Sequence, residues 1–155
     1  MVFLFLFLSL IIAVLQASLF TPIFGNLFLT PSLSFVFILM SSRILKEKSL
    51  IPAFITGMLL DTITDSLGLI TLVNIVFLYI YLLITEFIFV KNKLLDFFII
   101  PPLLLILRKI VIISIIGKKF LIYLSFKSFL LSFLIEIVFL VILYKLFFKG
   151  VNEEA

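Results

Sequence analysis

The sequence has no cysteine, no histidine and no tryptophan. Without Cys, disulfides and thiolate metal sites are excluded. Without His, the commonest general base and metal ligand is missing. Charge is scarce as well: 13% of the residues are Asp, Glu, Lys or Arg, where a soluble domain carries about 25%. What fills the chain is hydrocarbon. Of 155 residues, 65% are hydrophobic and 21 are Phe, and the mean hydropathy is +1.50. So little polar surface cannot cover a water-facing sphere, and the chain reads as an integral membrane protein. Phe without Trp reads as a lipid-facing or coding preference rather than an aromatic binding box. The net charge of +4 lies between apolar runs. It is therefore a topology signal facing anionic membrane lipid, with no nucleic acid implied.

Residues 2–20 form the first apolar run. Nothing basic precedes it, as a signal peptide would require, so it is expected to be a retained helix. Thr21-Pro22-Ile23-Phe24-Gly25-Asn26 should break that helix, with 27–30 at the interface. Thr30 as N-cap and Pro31 at the first helical position open a second helix to about Ser42. After the charged Arg43–Lys48 cluster, Pro52 starts a short third helix to about Asp61, and Thr62–Ser66 is the turn. Three longer runs follow, Leu67–Val90, Phe97–Ile116 and Ser125–Phe148. The fold class is thus an all-α polytopic membrane protein. Residues 1–149 form one transmembrane bundle of about six helices, and 150–155 a short polar C-terminal tail. With both termini cytoplasmic, the inner segments carry Arg43, Lys46, Lys48, Lys91, Lys93, Lys145 and Lys149, and the outer ones only Lys118, Lys119 and Lys127. The positive-inside rule favours that orientation. Tyr123 and Tyr144 fall near helix ends, where an interfacial belt belongs.

The informative residues are the few polar ones inside the apolar runs. Asp61 and Asp65 lie in Gly57-Met-Leu-Leu-Asp61-Thr-Ile-Thr-Asp65-Ser-Leu-Gly68. An ionised Asp at the centre of a membrane helix costs at least about 2.5–3.5 kcal/mol. Asp65 is placed to cap the fourth helix, where the macrodipole favours an anion. Asp61 stands at the C-terminal end of the third helix, where the dipole disfavours it, so it needs another partner: a donor from the fourth helix, a basic residue of the fifth, or water in a cleft. Gly57, one turn before Asp61, lets another helix approach closely, and Gly68 serves the same end or the turn. Two carboxylates four apart also suit acid–base or metal chemistry, but no other polar groups converge on them. Farther on, Arg108, Lys109 and Glu136 each lie about half-way along the fifth and sixth helices, which a short connection makes antiparallel neighbours. An Arg108–Glu136 or Lys109–Glu136 ion pair is expected. It could be a packing pin, part of a polar pathway, or a recognition point for a partner's helix.

On these residues the chain resembles the MreD family of rod shape-determining membrane proteins. The resemblance rests on Leu15-Gln16 near the end of the first helix, Pro31 opening the second, the Gly57-x-x-x-Asp61 block, and Leu67-Gly68 after a short turn. It covers roughly residues 10–85. Two positions depart: Ser32 stands where the family often has Asp, and Ala53 where it tends to have Gly. The resemblance implies a non-enzymatic component of the bacterial inner membrane, without cofactor or metal. Its implied partners are an MreC-like protein, MreB, and RodA with its class B penicillin-binding protein, and together they organise peptidoglycan synthesis in cell elongation. Two other readings stand beside it. A substrate-binding subunit of a vitamin-type transporter needs an outward polar pocket, which Asn74, Asp61 and Asp65 could line. A channel or membrane enzyme needs more titratable groups than any span offers.

Overall fold

A computed structural model describes residues 1–25, 29–87, 93–120 and 126–148. The side chains of 93–95 and 116–120 are outside that description, as are Asn26, Lys91, Tyr123 and the tail at 150–155. Among the described residues every regular element is helical.

The first helix is longer than its sequence suggests. α1 (Val2–Leu15), a wide π-type turn (Gln16–Phe20) and α2 (Thr21–Phe24) form one continuous 23-residue rod. The break expected over Thr21–Asn26 thus comes in its second half, not at Pro22. Pro22 has no N–H to donate, and the widened turn just before it shifts the bonding pattern so that the helix continues. The stop comes at Gly25, whose positive φ of 71° and N–H bond to the Thr21 carbonyl at 2.8 Å end the helix.

α3 (Leu33–Leu45) starts two residues beyond Pro31, with Ser32 in the flanking position, so Thr30 and Pro31 do not open it as the sequence suggested. Leu29, Thr30, Pro31 and Ser32 are all buried among the helices, and residues 27 and 28, also expected at the interface, lie outside the described residues. Non-helical backbone at membrane depth is tolerated only where protein covers it. α3 has 13 residues, about 20 Å at 1.5 Å each, against a hydrocarbon core of about 30 Å. A 3₁₀ turn (Lys46–Ser49) leads into α4 (Leu50–Thr64), which is also short at 15 residues. α4 passes through Asp61 and ends three residues later than expected, at a left-handed Asp65 (φ 53°).

α5 (Leu69–Phe87), α6 (Lys93–Phe98), α7 (Ile100–Phe120) and α8 (Phe126–Phe148) complete the bundle. Pro101 and Pro102 sit in the first turn of α7, just past a bend at Ile99, and α7 is unbroken through Arg108 and Lys109. Among the described residues, four helices are long and apolar enough to cross a membrane: Val2–Phe24, Leu69–Phe87, Asp96–Ile115 and Phe126–Phe148. The six spans read from sequence thus become four of spanning length and two short ones, α3 and α4. The charged Arg43–Lys48 stretch limits α3 at one end, and the buried non-helical segment occupies the length a full span would need at the other.

α3 is the centre. Phe35 to Met40 are all buried, so this helix is apolar all round and packs on α1, α4, α5, α7 and α8. Phe residues divide between two environments. Phe5, Phe35, Phe37 and Phe97 are core, whereas Phe3, Phe7, Phe87 and Phe126 are exposed on the surface that lipid would cover. Tyr144 joins an aromatic cluster with Phe97 and Phe148, with ring centroids 4.8 and 5.7 Å away.

Candidate functional site

Among the described residues, two polar clusters inside this apolar bundle each close the N-terminus of a helix. The first surrounds the start of α3. Glu136 is the eleventh of the 23 residues of α8 and is fully buried, about 15 Å along a helix of spanning length. Its Oε1 accepts bonds from the Ser32 N–H and the Ser32 hydroxyl, both at 2.7 Å. Beside it, the Gln16 side-chain oxygen, from the π-type turn, accepts from the Ser34 N–H at 3.2 Å and the Ser34 hydroxyl at 3.0 Å. α3 therefore begins near the level where α8 is half-way across. Its unpaired N–H groups, each costing several kcal/mol if left bare in hydrocarbon, are met by side chains from two other helices.

The charge of Glu136 is balanced by Lys109, at 2.9 Å from Oε1. Lys109 also donates to the Ser132 hydroxyl, one turn before Glu136 on the same face of α8, and lies 5.7 Å from the centroid of the Phe129 ring. Glu136 Oε2 has no hydrogen-bond partner among the described residues. Of the two expected pairings, Lys109–Glu136 is present. Arg108, the preceding residue, turns to another face. Its Nε donates to Asn74 Oδ1 at 2.8 Å, and its guanidinium lies 4.6 Å from the centroid of Phe35. A cavity of about 20 Å³ is bounded by Gln16, Thr30, Ser32 and Arg108 on its polar side, room for about one water molecule.

The second cluster is the α4–α5 corner, and here the structure exchanges the roles assigned to the two aspartates. Asp61 is buried, and its two oxygens accept four bonds. The N–H groups of Ile70 and Thr71 donate at 2.9 Å each, and the hydroxyls of Ser66 and Thr71 supply the other two. Ile70 and Thr71 are in the first turn of α5, so Asp61 caps α5 from the preceding helix. The dipole that favours its charge is that of α5. Asp65, expected to be this cap, is exposed and in the left-handed conformation as the C-cap of α4. The physical reason is reach. α4 continues past Asp61 and folds back at Asp65 and Gly68 (φ 86°), which lays the Asp61 carboxylate on the open end of α5.

Gly57 makes this possible. A Cβ built on it would stand 2.7 Å from the Thr71 Cα and 2.9 Å from its hydroxyl oxygen. Only a glycine lets α4 and α5 meet this closely, so the corner packs on its own chain. Gly68 has nothing within 4 Å of an added Cβ. Its positive φ shows that it serves the turn, one of the two roles expected of it.

Sequence reasoning named Gln16, Pro31, Gly57, Asp61, Asp65, Gly68, Arg108, Lys109 and Glu136. Gln16, Arg108, Lys109 and Glu136 converge around the start of α3, and Gly57, Asp61 and Gly68 at the corner. Pro31 is buried beside the first group, and Asp65 faces outward. Ser32, Ser34, Thr71 and Ser132 were missed as partners. Ser132 was findable, being one turn from Glu136. A further ion pair, Arg43 with the buried Asp96, was also missed, and Arg43 lies 5.1 Å from the centroid of Phe97. The residues proposed to line a transporter pocket do not do so: Asn74 is bonded to Arg108, Asp61 to α5, and Asp65 is at the surface. Among the described residues, no three His, Cys, Asp or Glu side chains stand together as metal ligands.

A family model described as rod shape-determining protein MreD matches residues 1–149. An uncharacterised protein of Aquifex aeolicus (strain VF5) is 46% identical over 155 residues, covering all of both chains. No solved structure matches.

Proposed function

The chain belongs to the MreD family, rod shape-determining membrane proteins, and from that premise we propose that it acts as a non-enzymatic scaffold of cell elongation in the bacterial inner membrane. It holds no cofactor. It organises peptidoglycan synthesis through contacts between transmembrane helices, with an MreC-like protein, MreB, and RodA with its class B penicillin-binding protein as partners. α3 and α4 complete a bundle of six helices whose termini are cytoplasmic. Gln16, Pro31, Gly57, Asp61, Gly68 and the Lys109–Glu136 pair act as fold-defining residues, while partners bind the outer apolar faces.

The observation that carries this reading is the family match over nearly the whole chain. The polar groups support it from a second direction. The buried carboxylates of Asp61 and Glu136 accept hydrogen bonds at helix starts, which suits a rigid scaffold better than a proton carrier. Depletion in a rod-shaped host tests the function. Cells should widen and round up, and an MreC-like protein should be recovered with this one from mild detergent extracts. Depleted cells that stay rod-shaped would contradict it.

A further inference from the structure

At the end of the bundle where α1 begins, α3 finishes and α5 ends, a cavity of about 430 Å³ opens to the surface. That volume lies within the range of about 300–1,000 Å³ usual for small-molecule sites. Its floor is apolar, formed by Val2, Ile44, Leu45 and the Met1 side chain, with the α-ammonium of Met1 as a further cation beside it. Its rim carries charges of both signs, Lys46 and Lys48 with Glu47 and Glu86. Among the described residues the two ion pairs are Arg43–Asp96 and Lys109–Glu136, so none of the four rim charges is spent on another. Lys46 is held at φ 51°, where the 3₁₀ turn begins, so the backbone at the rim is fixed at a conformation non-glycine residues rarely adopt.

The setting narrows the ligand. The cavity adjoins the ends of two helices of spanning length, Val2–Phe24 and Leu69–Phe87, at the level where lipid headgroups lie. Exposed Phe3, Leu4 and Ile44 continue its floor along the outside of the bundle. A purely anionic ligand would suit Lys46 and Lys48 but leave Glu47 and Glu86 opposed to it. A ligand with one phosphate and one ammonium answers both signs, and an acyl chain answers the floor. We propose that this cavity binds the headgroup of a phospholipid carrying a primary ammonium, of the phosphatidylethanolamine type. Lys46 and Lys48 hold the phosphate, Glu86 and Glu47 accept hydrogen bonds from the ammonium, and an acyl chain lies along α1. A primary ammonium offers three N–H donors, whereas a quaternary one offers none, so the two carboxylates select between headgroups of equal charge.

The test is native mass spectrometry of the full chain in detergent, titrated with phosphatidylethanolamine, phosphatidylcholine and phosphatidylglycerol of matched acyl chains. The ethanolamine lipid should be retained at least about tenfold better than either of the others, a difference of about 1.4 kcal/mol. Lys46→Gln with Lys48→Gln should weaken the ethanolamine and glycerol lipids alike. Glu86→Gln with Glu47→Gln should abolish the preference for ethanolamine over glycerol while binding persists. All four positions are exposed, so these variants keep the core intact. Equal retention of the three lipids, stronger retention of the glycerol lipid, or variants without effect would each overturn the proposal.

Discussion

Single residues decide how closely this bundle packs. Gly57 faces Thr71 with no room for even a methyl group. Gly57→Ala should therefore lower stability by about 1–3 kcal/mol, the usual cost of overpacking, measured as the unfolding midpoint in detergent. Gly57→Leu should prevent accumulation of folded protein. Ser32 offers a second test. It departs from the pattern that the family resemblance suggests, and it meets Glu136 with two donors. Ser32→Ala removes the hydroxyl donor and should cost about 1–2 kcal/mol. Ser32→Asp sets a carboxylate against a buried carboxylate and should cost more than Ser32→Ala in the same assay. The residue scale is also where the sequence misled. Asp65 looked like a cap because it is nearest the start of α5 along the chain. Asp61 is nearer in space, because α4 continues past it and turns back. Nothing in local spacing distinguishes the two, since the deciding fact is where the left-handed residue falls.

The elements are held by what their ends bond to. α3 starts inside the bundle because Glu136 and Gln16 satisfy its first N–H groups, and α5 is closed by Asp61 in the same way. Breaking a buried ion pair by removing one member costs about 3–5 kcal/mol. Lys109→Met should fall in that range. Glu136→Leu should cost more, since it also uncovers Ser32 at the start of α3. The double variant should recover part of the loss of the pair and none of the loss at Ser32, a difference that a double-mutant cycle reads directly. That Glu136 pairs with Arg108 or Lys109 was legible in the sequence, because these residues lie half-way along consecutive helices expected to run antiparallel, but which of the two it takes was not. The role of Glu136 at α3 was not, since it joins residues 104 positions apart. Proline was the weaker guide. Within the expected break at Thr21–Asn26 it is Gly25 and not Pro22 that ends the helix, and Pro31 precedes α3 without opening it.

At the scale of the molecule, the scarcity of polar groups is the argument. Gln16, Asn74, Asp61, Arg108, Lys109 and Glu136 are all buried, and each bonds a helix start or another buried side chain. Fold class and membrane character were readable from composition alone, and family from four short blocks. That α4 is short was readable from the sequence, whereas for α3 it was not, because nothing local in Leu29-Thr30-Pro31-Ser32 marks it as a buried, non-helical segment. On the function proposed above, Asp61 and Glu136 build the fold that shape maintenance requires rather than perform chemistry or transport. The most direct measurement is the unfolding midpoint of Asp61→Asn, taken beside its ability to restore rod shape in depleted cells. A clear fall in the midpoint is expected, with shape restored only to the extent that folded protein remains. A variant as stable as the original that nevertheless leaves cells round would contradict it.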